Sequence, residues 1–265
     1  SVVSAAYDYA QLKHAAQTRA SGDPYFTHPV RVATYLAEKR LDPATVATAL
    51  LHDVVEDTDA TNGDICKRFG STVGELVEGV TKLTSLEDTS RELKQAENFR
   101  KLLLALSRDI RVLLVKLSDR LDNMRTLHFI PSDERRSRIA TETLEIYAPL
   151  AARIGMIDLK EELEDLAFLE LMPEARESIM QRTAFLREAG DAVTVDIIQQ
   201  LRQDMKEAGL SNVEINGRIK TPYSIWKKMQ TKDLDLGQLS DIVAFRVIVE
   251  GIGDCYAALG ALHGN

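Results

Sequence analysis

Residues 52–57 read His-Asp-Val-Val-Glu-Asp, four ionisable side chains in six positions directly after the apolar run Ala49-Leu50-Leu51. In a helix, side chains four apart share a face, so His52 pairs with Glu56 and Asp53 with Asp57. One imidazole nitrogen beside one carboxylate oxygen is a donor mixture suited to a borderline divalent ion such as Mn, Fe or Zn. Glu56 and Asp57, one turn further on, are placed to act on a water that such an ion polarises. An isolated His-Asp pair is also a common polar helix end, so a metal reading needs further donors elsewhere.

Two segments supply them. Arg19-Ala20-Ser21-Gly22-Asp23-Pro24-Tyr25-Phe26-Thr27-His28-Pro29 carries a second histidine, and Lys116-Leu117-Ser118-Asp119-Arg120-Leu121-Asp122-Asn123-Met124-Arg125-Thr126 carries a further aspartate. Singly, His28 before a proline is a helix-start residue and Asp119 beside Arg120 a surface ion pair. Together, His28, His52, Asp53 and Asp119 form a set of two imidazoles and two carboxylates presented by separate helices.

The elements that must position these groups are mostly helical. Helices are expected over 3–18, from Pro29 onward with Val30, Val32, Ala33, Leu36 and Ala37 on its apolar face, and from Pro43 into the His-Asp motif. Ser21-Gly22-Asp23-Pro24 is a turn cluster, and residues 59–63 interrupt the chain again. Shorter helices are expected at 63–69 and 72–80, a loop at 84–89, and a helix at 92–107 with Phe99, Leu102, Leu103 and Leu106 inward. Asp109 caps the following segment. There, Ile110 to Leu117 is nearly continuous apolar sequence, compatible with a buried strand or a buried helix; the uninterrupted run to Thr126 favours helix. Further helices are expected at 133–148, 157–170 and 172–189. After about residue 195 the texture changes: an alternating strand at 213–220, a helix at 224–230, a β-rich segment at 242–250 and a helix at 254–263 imply an α/β unit. With few strands before Asn265, the expectation is a chain cut from something longer.

The 265 residues are 45% hydrophobic and 28% charged, enough for a sizeable core and two domains. A net charge of −8 disfavours a non-specific nucleic-acid binder. Cys66 and Cys255 are far apart without metal-ligand spacing, which fits a reducing compartment. Neither a membrane-spanning run nor a signal segment is legible, so a soluble cytoplasmic protein is expected, with no direct nucleic-acid or membrane binding.

The order of the His, His-Asp and Asp segments resembles the HD superfamily of metal-dependent phosphohydrolases. The longer wording resembles the hydrolase domain of the RelA/SpoT homologues, bacterial enzymes that make and degrade the alarmone (p)ppGpp in the stringent response: Ser21 to Pro29, Leu50 to Thr58, Gln95-Ala96-Glu97-Asn98-Phe99-Arg100-Lys101 and Lys116 to Thr126. The resemblance implies a mainly α fold, an HD-domain helical bundle over 1–172, connecting helices over 173–194, and the first part of an α/β nucleotidyltransferase-like synthetase domain over 195–265. It implies one Mn2+ held by His28, His52, Asp53 and Asp119, with Glu56 and Asp57 activating water. Arg19, Ser21, Tyr25, Asn123 and Thr126 match nucleotide-holding positions. The family has lysine where this chain has Ala20, which removes a phosphate-directed cation, and usually histidine where it has Asp122, which adds a negative charge near the cleft. In the synthetase part, Arg218, Lys220, Ser224 and Lys228 match ATP-binding positions, although a solvated basic helix face reads equally well from charge alone. Asp241 matches the Mg2+ ligand of the parent synthetase. The substrates so implied are (p)ppGpp, with GDP or GTP as products, and ATP for synthesis; the guanine-stacking and catalytic residues of the synthetase would follow Asn265, so synthesis is not expected. Other readings are an HD phosphohydrolase for another nucleotide and a nucleotide sensor without turnover.

Overall fold

The computed structural model describes residues 1–84, 109–188, 190–210, 212–233 and 242–264. The expected helix at 92–107, the loop beyond Thr84, the Gln95 to Lys101 motif and Asp241 lie outside them. The chain divides into two compact units, Ser1–Leu171 and Met172–Asn265.

The first unit is helical. In order it contains α1 (Val2–Lys13), α2 (Thr27–Glu38), α3 (Pro43–Leu51), α4 (Val54–Asp57), α5 (Asn62–Phe69), α6 (Ser71–Thr84), α7 (Ile110–Arg125), a 3-10 turn (Leu127–Phe129), α8 (Asp133–Glu142), a π-helical turn (Thr143–Tyr147), α9 (Ala148–Arg153) and α10 (Ile157–Leu171). Helix α3 is the centre. Every residue from Thr45 to Leu51 is buried, and α1, α2, α6 and α7 all pack on it. A helix surrounded in this way shows no polar stripe. Its two buried hydroxyls are satisfied locally: Thr45 donates to Asp42, the N-cap, and Thr48 donates to the Ala44 carbonyl at 2.8 Å. Helix α7 is also buried on nearly every side, from Val112 through Asp122, which is why its apolar run left strand and helix open. Asp109 caps it, accepting from the Arg111 amide at 2.9 Å.

Three expectations are corrected. Helix α1 stops at Lys13, not 18, because His14 and Gln17 bond to each other at 2.6 Å and the Gln17 carbonyl accepts the Tyr25 amide at 2.9 Å. These bonds turn the chain inward and aim Tyr25 at the site. The helix from Pro43 does not run through the His-Asp motif: His52 and Asp53 form the turn between α3 and α4. The span 133–148 is not one α-helix, since Thr143–Tyr147 widens into the π turn before Ala148 starts the next helix; the Arg120 guanidinium stacks 4.0 Å from the Tyr147 ring centroid. On α2, Val32, Ala33 and Leu36 are buried as expected, but Val30 is only half-buried and Ala37 is exposed.

The second unit contains α11 (Pro173–Glu188), α12 (Gly190–Glu207), β1 (Glu214–Ile219), α13 (Pro222–Lys232), β2 (Val243–Ile248) and α14 (Ile252–Gly264). The strands pair antiparallel with Glu214 opposite Ile248 and Ile219 opposite Val243. Met205, Ile215 and Ala258 form its small core. No helix of the described residues is long and apolar enough to cross a membrane. Both cysteines are unpaired thiols.

Helices α6 and α7 approach so closely that a Cβ on Gly79 would lie 2.8 Å from the Val112 Cγ2. Overpacking a filled core costs about 1–3 kcal/mol, against a helix-propensity gain of about 1 kcal/mol for Ala over Gly. Gly79→Ala is therefore expected to lower stability by about 1 kcal/mol in urea denaturation; a stabilised variant would show that the contact is slack.

Candidate functional site

His28 comes from the first turn of α2, His52 and Asp53 from the α3–α4 turn, and Asp119 from the middle of α7. The break after Leu51 is slight: His52 keeps helical dihedrals (−60°, −37°) and Asp53 drifts to −92°, −9°. The Asp57 amide still bonds the Asp53 carbonyl at 2.9 Å, so these two carboxylates share a side as helical spacing requires.

The four side chains converge. One ligand-capable atom each from His28, His52 and Asp119 lies within 4.8 Å of the others, all three residues being buried. The His28 Nε2 is 3.2 Å from Asp119 Oδ1 and 3.7 Å from Asp53 Oδ2. The His52 Nε2 is 3.2 Å from Asp53 Oδ1 and 3.9 Å from Asp119 Oδ1. Metal–nitrogen and metal–oxygen bonds of about 2.1 Å put neighbouring ligands roughly 3.0–3.5 Å apart, so the set has the right size for one ion.

The donor chemistry fits as well. The His52 Nδ1 lies 2.8 Å from the Ala49 carbonyl. A carbonyl only accepts, so Nδ1 carries the proton in the neutral ring and the Nε2 lone pair faces Asp53 and Asp119. This buried Nε2 makes no hydrogen bond. A lone pair beside carboxylate oxygens is a cluster of acceptors, and only a cation or a proton satisfies it. Around His28, burial opposes the charged ring, but bonds to Asp119 and Asp122 outweigh it and lift its pKa to about 9. Burial likewise opposes ionisation of Asp119, yet the Lys116 ammonium and both imidazoles hold its carboxyl well below the usual range.

Hydrogen bonds extend from the cluster. Asp119 Oδ2 accepts from buried Lys116 Nζ at 3.1 Å, and Oδ1 accepts from Asn123 Nδ2 at 2.6 Å. Asn123 Oδ1 in turn accepts from the Arg19 guanidinium at 2.8 Å, which also lies 5.7 Å from the Tyr25 ring centroid. The Tyr25 hydroxyl stands 2.7 Å from Asp53 Oδ2 and 2.8 Å from Asp57 Oδ2. A phenol has one proton, so it donates to one carboxylate at a time. Burial and the two carboxylates push its pKa up, keeping it a donor. Glu56 and Asp57 are exposed at the rim.

Of the expected nucleotide residues, Arg19, Tyr25 and Asn123 are bonded into this network. The Thr126 hydroxyl caps α7, bonding the Asp122 carbonyl at 3.0 Å, and the Ser21 hydroxyl bonds Asp23 at 2.9 Å in the turn. Ala20 is exposed. Asp122, the aspartate at the position where histidine is usual, is buried beside the cleft, 2.6 Å from His28 Nδ1 and paired with the Arg31 guanidinium. Residue reading missed Lys116 and Arg31. Lys116 sits three before Asp119 on one helix face, a spacing that could have flagged it; the Arg31–Asp122 pair joins two helices and leaves no local trace. In the second unit, Arg218 lies on β1, Lys220 directly follows the strand, and Ser224 and Lys228 lie one turn apart on α13. The Ser224 hydroxyl accepts from Thr221 at 2.9 Å.

Residues 6–157 match the HD domain family, and residues 217–265 match the region found in RelA / SpoT proteins. The chain belongs to the RelA/SpoT family of HD-domain proteins. It is 52% identical over 258 residues to a Brucella ovis GTP pyrophosphokinase, covering 97% of this chain and 34% of that protein. It is 47% identical to the Escherichia coli bifunctional (p)ppGpp synthase/hydrolase SpoT, covering 97% and 36%, and 46% identical to a Haemophilus influenzae guanosine-3′,5′-bis(diphosphate) 3′-pyrophosphohydrolase, covering 94% and 37%. The chain thus spans about a third of these relatives. A solved structure described as a metazoan ortholog of SpoT that hydrolyzes ppGpp superposes with a TM-score of 0.50 at 30% identity, covering 63% of this chain and 93% of that one. The mainly helical fold of this RelA/SpoT chain, with its HD domain, is the one the sequence resemblance implied.

Two outcomes follow from the geometry. Asp53→Ala removes one donor and is expected to abolish stoichiometric metal retention, read by elemental analysis after dialysis; full retention would remove Asp53 from the ligand set. A proton on His28 competes with an ion for Nε2 below a pKa of about 9, so Mn2+ affinity is expected to fall about tenfold per pH unit as pH drops from about 8 to about 6. Affinity flat across that range would contradict it.

Proposed function

We propose that this chain is a Mn2+-dependent hydrolase of the 3′-pyrophosphate of (p)ppGpp, releasing GDP or GTP and pyrophosphate. The observation that carries the reading is the buried, unbonded His52 Nε2 turned toward His28, Asp53 and Asp119, in a chain whose relatives are named for ppGpp chemistry. A divalent ion held by these four residues supplies Lewis-acid charge that neutralises a phosphoryl oxygen and acidifies water. Mn2+ accords with the mixed nitrogen and oxygen donors.

The remaining steps belong to the side chains. Glu56 or Asp57 accepts a proton from the attacking water; a carboxylate beside a cation stays ionised at neutral pH. The water oxygen forms its bond to the phosphorus next to the ribose 3′-oxygen. The bond from that phosphorus to the 3′-oxygen breaks, the 3′-oxygen takes up the proton, and pyrophosphate leaves carrying the water oxygen. Tyr25 holds Asp53 and Asp57 in register, and Arg19, steered by Asn123, faces the anionic nucleotide. Ser21 and Thr126 complete the proposed nucleotide contacts.

For the second unit, Arg218, Lys220, Ser224 and Lys228 are proposed to contact ATP, and Asp241 to hold Mg2+ through carboxylate and substrate phosphates. The unpaired thiols accord with a reducing cytoplasm, and the acidic balance with no direct binding to nucleic acid or membrane.

Comparing hydrolysis of ppGpp, dGTP and cyclic dinucleotides by the Mn2+-loaded chain tests the reading: preferential release of pyrophosphate from ppGpp is expected. Preference for another nucleotide would reassign the substrate, and ppGpp binding without turnover would make the site a sensor. Glu56→Gln is expected to retain metal and lose at least about a hundredfold in kcat, within the range for general bases; an unchanged rate moves the base role to Asp57. Ala20→Lys is expected to lower KM severalfold by restoring a phosphate-directed cation, and an unchanged KM would mean that position 20 does not face the substrate.

A further inference from the structure

We propose that Asp122, with Arg31 behind it, is a positioning residue that fixes the His28 ring so that its Nε2 is presented to the metal. This inference rests on the metal-site reading above and extends it to two further residues.

Asp122 lies one helical turn beyond Asp119 on α7, with 3% of its surface exposed. Its Oδ2 is 2.6 Å from His28 Nδ1. The carboxylate accepts this bond from Nδ1, which turns the ring so that Nε2 faces Asp119 and Asp53 and is the nitrogen left for an ion. The other face of the carboxylate is clamped by Arg31, one turn along α2 from His28: Arg31 Nε donates to Oδ1 at 2.6 Å and Nη2 donates to Oδ2 at 3.2 Å. A two-point guanidinium contact fixes the carboxylate plane as well as its charge. Arg31 is half-exposed and so reaches solvent at its far edge.

His52 obtains the same orientation from a backbone carbonyl, at 2.8 Å from Ala49. That device belongs to the α3 backbone and survives any side-chain change. For His28 the Nδ1 partner is a side chain on another helix, so His28 is the imidazole whose presentation depends on sequence. Histidine at position 122 would meet the Arg31 guanidinium with a cationic or neutral ring and lose the clamp. The pairs Arg31–Asp122 and Asp122–His28 therefore work as one unit across α2 and α7.

The test is a Mn2+ titration of the 265-residue chain against a competing chelator, with Co2+ absorption as a second readout of ligand geometry. Replacing the outer partner of a ligating histidine typically weakens metal binding about 10–100-fold. Asp122→Asn, which keeps shape and a neutral acceptor, is expected to weaken Mn2+ about tenfold, and Arg31→Gln, which frees the carboxylate without touching His28, about threefold. In both, the Co2+ spectrum shifts. Thermal unfolding of each variant is followed alongside. A purely structural role would lower the melting temperature and the folded fraction while leaving the metal constant and the Co2+ spectrum unchanged, and that result overturns the proposal, as does parent-like Mn2+ affinity in folded Asp122→Asn. A parent chain that binds Mn2+ at one equivalent but does not hydrolyse ppGpp defeats the functional reading alone, and the role of Asp122 is still decided by the two affinities. A parent chain that binds neither Mn2+ nor Co2+ overturns both.

Discussion

Two imidazoles and two carboxylates converge on one small volume in the interior of a helical unit. That is an unfavourable arrangement by itself, because the carboxylates crowd together and the buried His52 Nε2 has nothing to bond. The rest of the unit is arranged around it. Each histidine has its outer nitrogen tied to an acceptor, Ala49 for His52 and Asp122 for His28, so that neither ring can turn its lone pair away. Asp119 has the Lys116 ammonium on its outer side, Asp53 has the Tyr25 hydroxyl, and Asp122 behind His28 has Arg31. What remains unmet is the inner side, and a divalent ion meets it.

This demand explains features of the fold that are otherwise arbitrary. Helix α3 is buried on every side, so its end is held rigidly and the turn at His52 and Asp53 is delivered to a fixed place. Helix α7 buries polar residues in its second half, Lys116, Ser118, Asp119, Arg120 and Asp122, where a helix chosen for stability alone would carry leucine; buried ion pairs of this kind are weak evidence for stability. Truncating α1 at Lys13 gives up a turn of helix and in exchange brings Tyr25 against Asp53 and Asp57. The proposed metal ligands come from α2, the α3–α4 turn and α7, elements that also pack together in the core, so they lie in distant parts of the chain.

Much of this was legible in the residues. Pro43 after Asp42, the Asp109 cap and the turn at Ser21–Pro24 have local causes and appear where local rules put them. The four proposed ligands were recognisable because histidine and aspartate are the residue types such chemistry needs, and the structure brings them together. What escaped depends on contacts between helices. The early end of α1 follows from bonds among His14, Gln17 and Tyr25, residues up to eleven positions apart. The loosening at Asp53 is a shift of a few tens of degrees in a sequence of ordinary helix formers. The sequence showed Asp122 as a negative charge near the cleft but not its two partners, His28 and Arg31, which lie more than ninety residues away.

Crystals of the chain grown with Mn2+ and measured at the manganese absorption edge give the most direct test. The account predicts a single anomalous peak about 2.1 Å from the Nε2 atoms of His28 and His52 and from carboxylate oxygens of Asp53 and Asp119. No peak at that position, or a peak bound by Glu56 and Asp57 alone with the two histidines turned away, would contradict it.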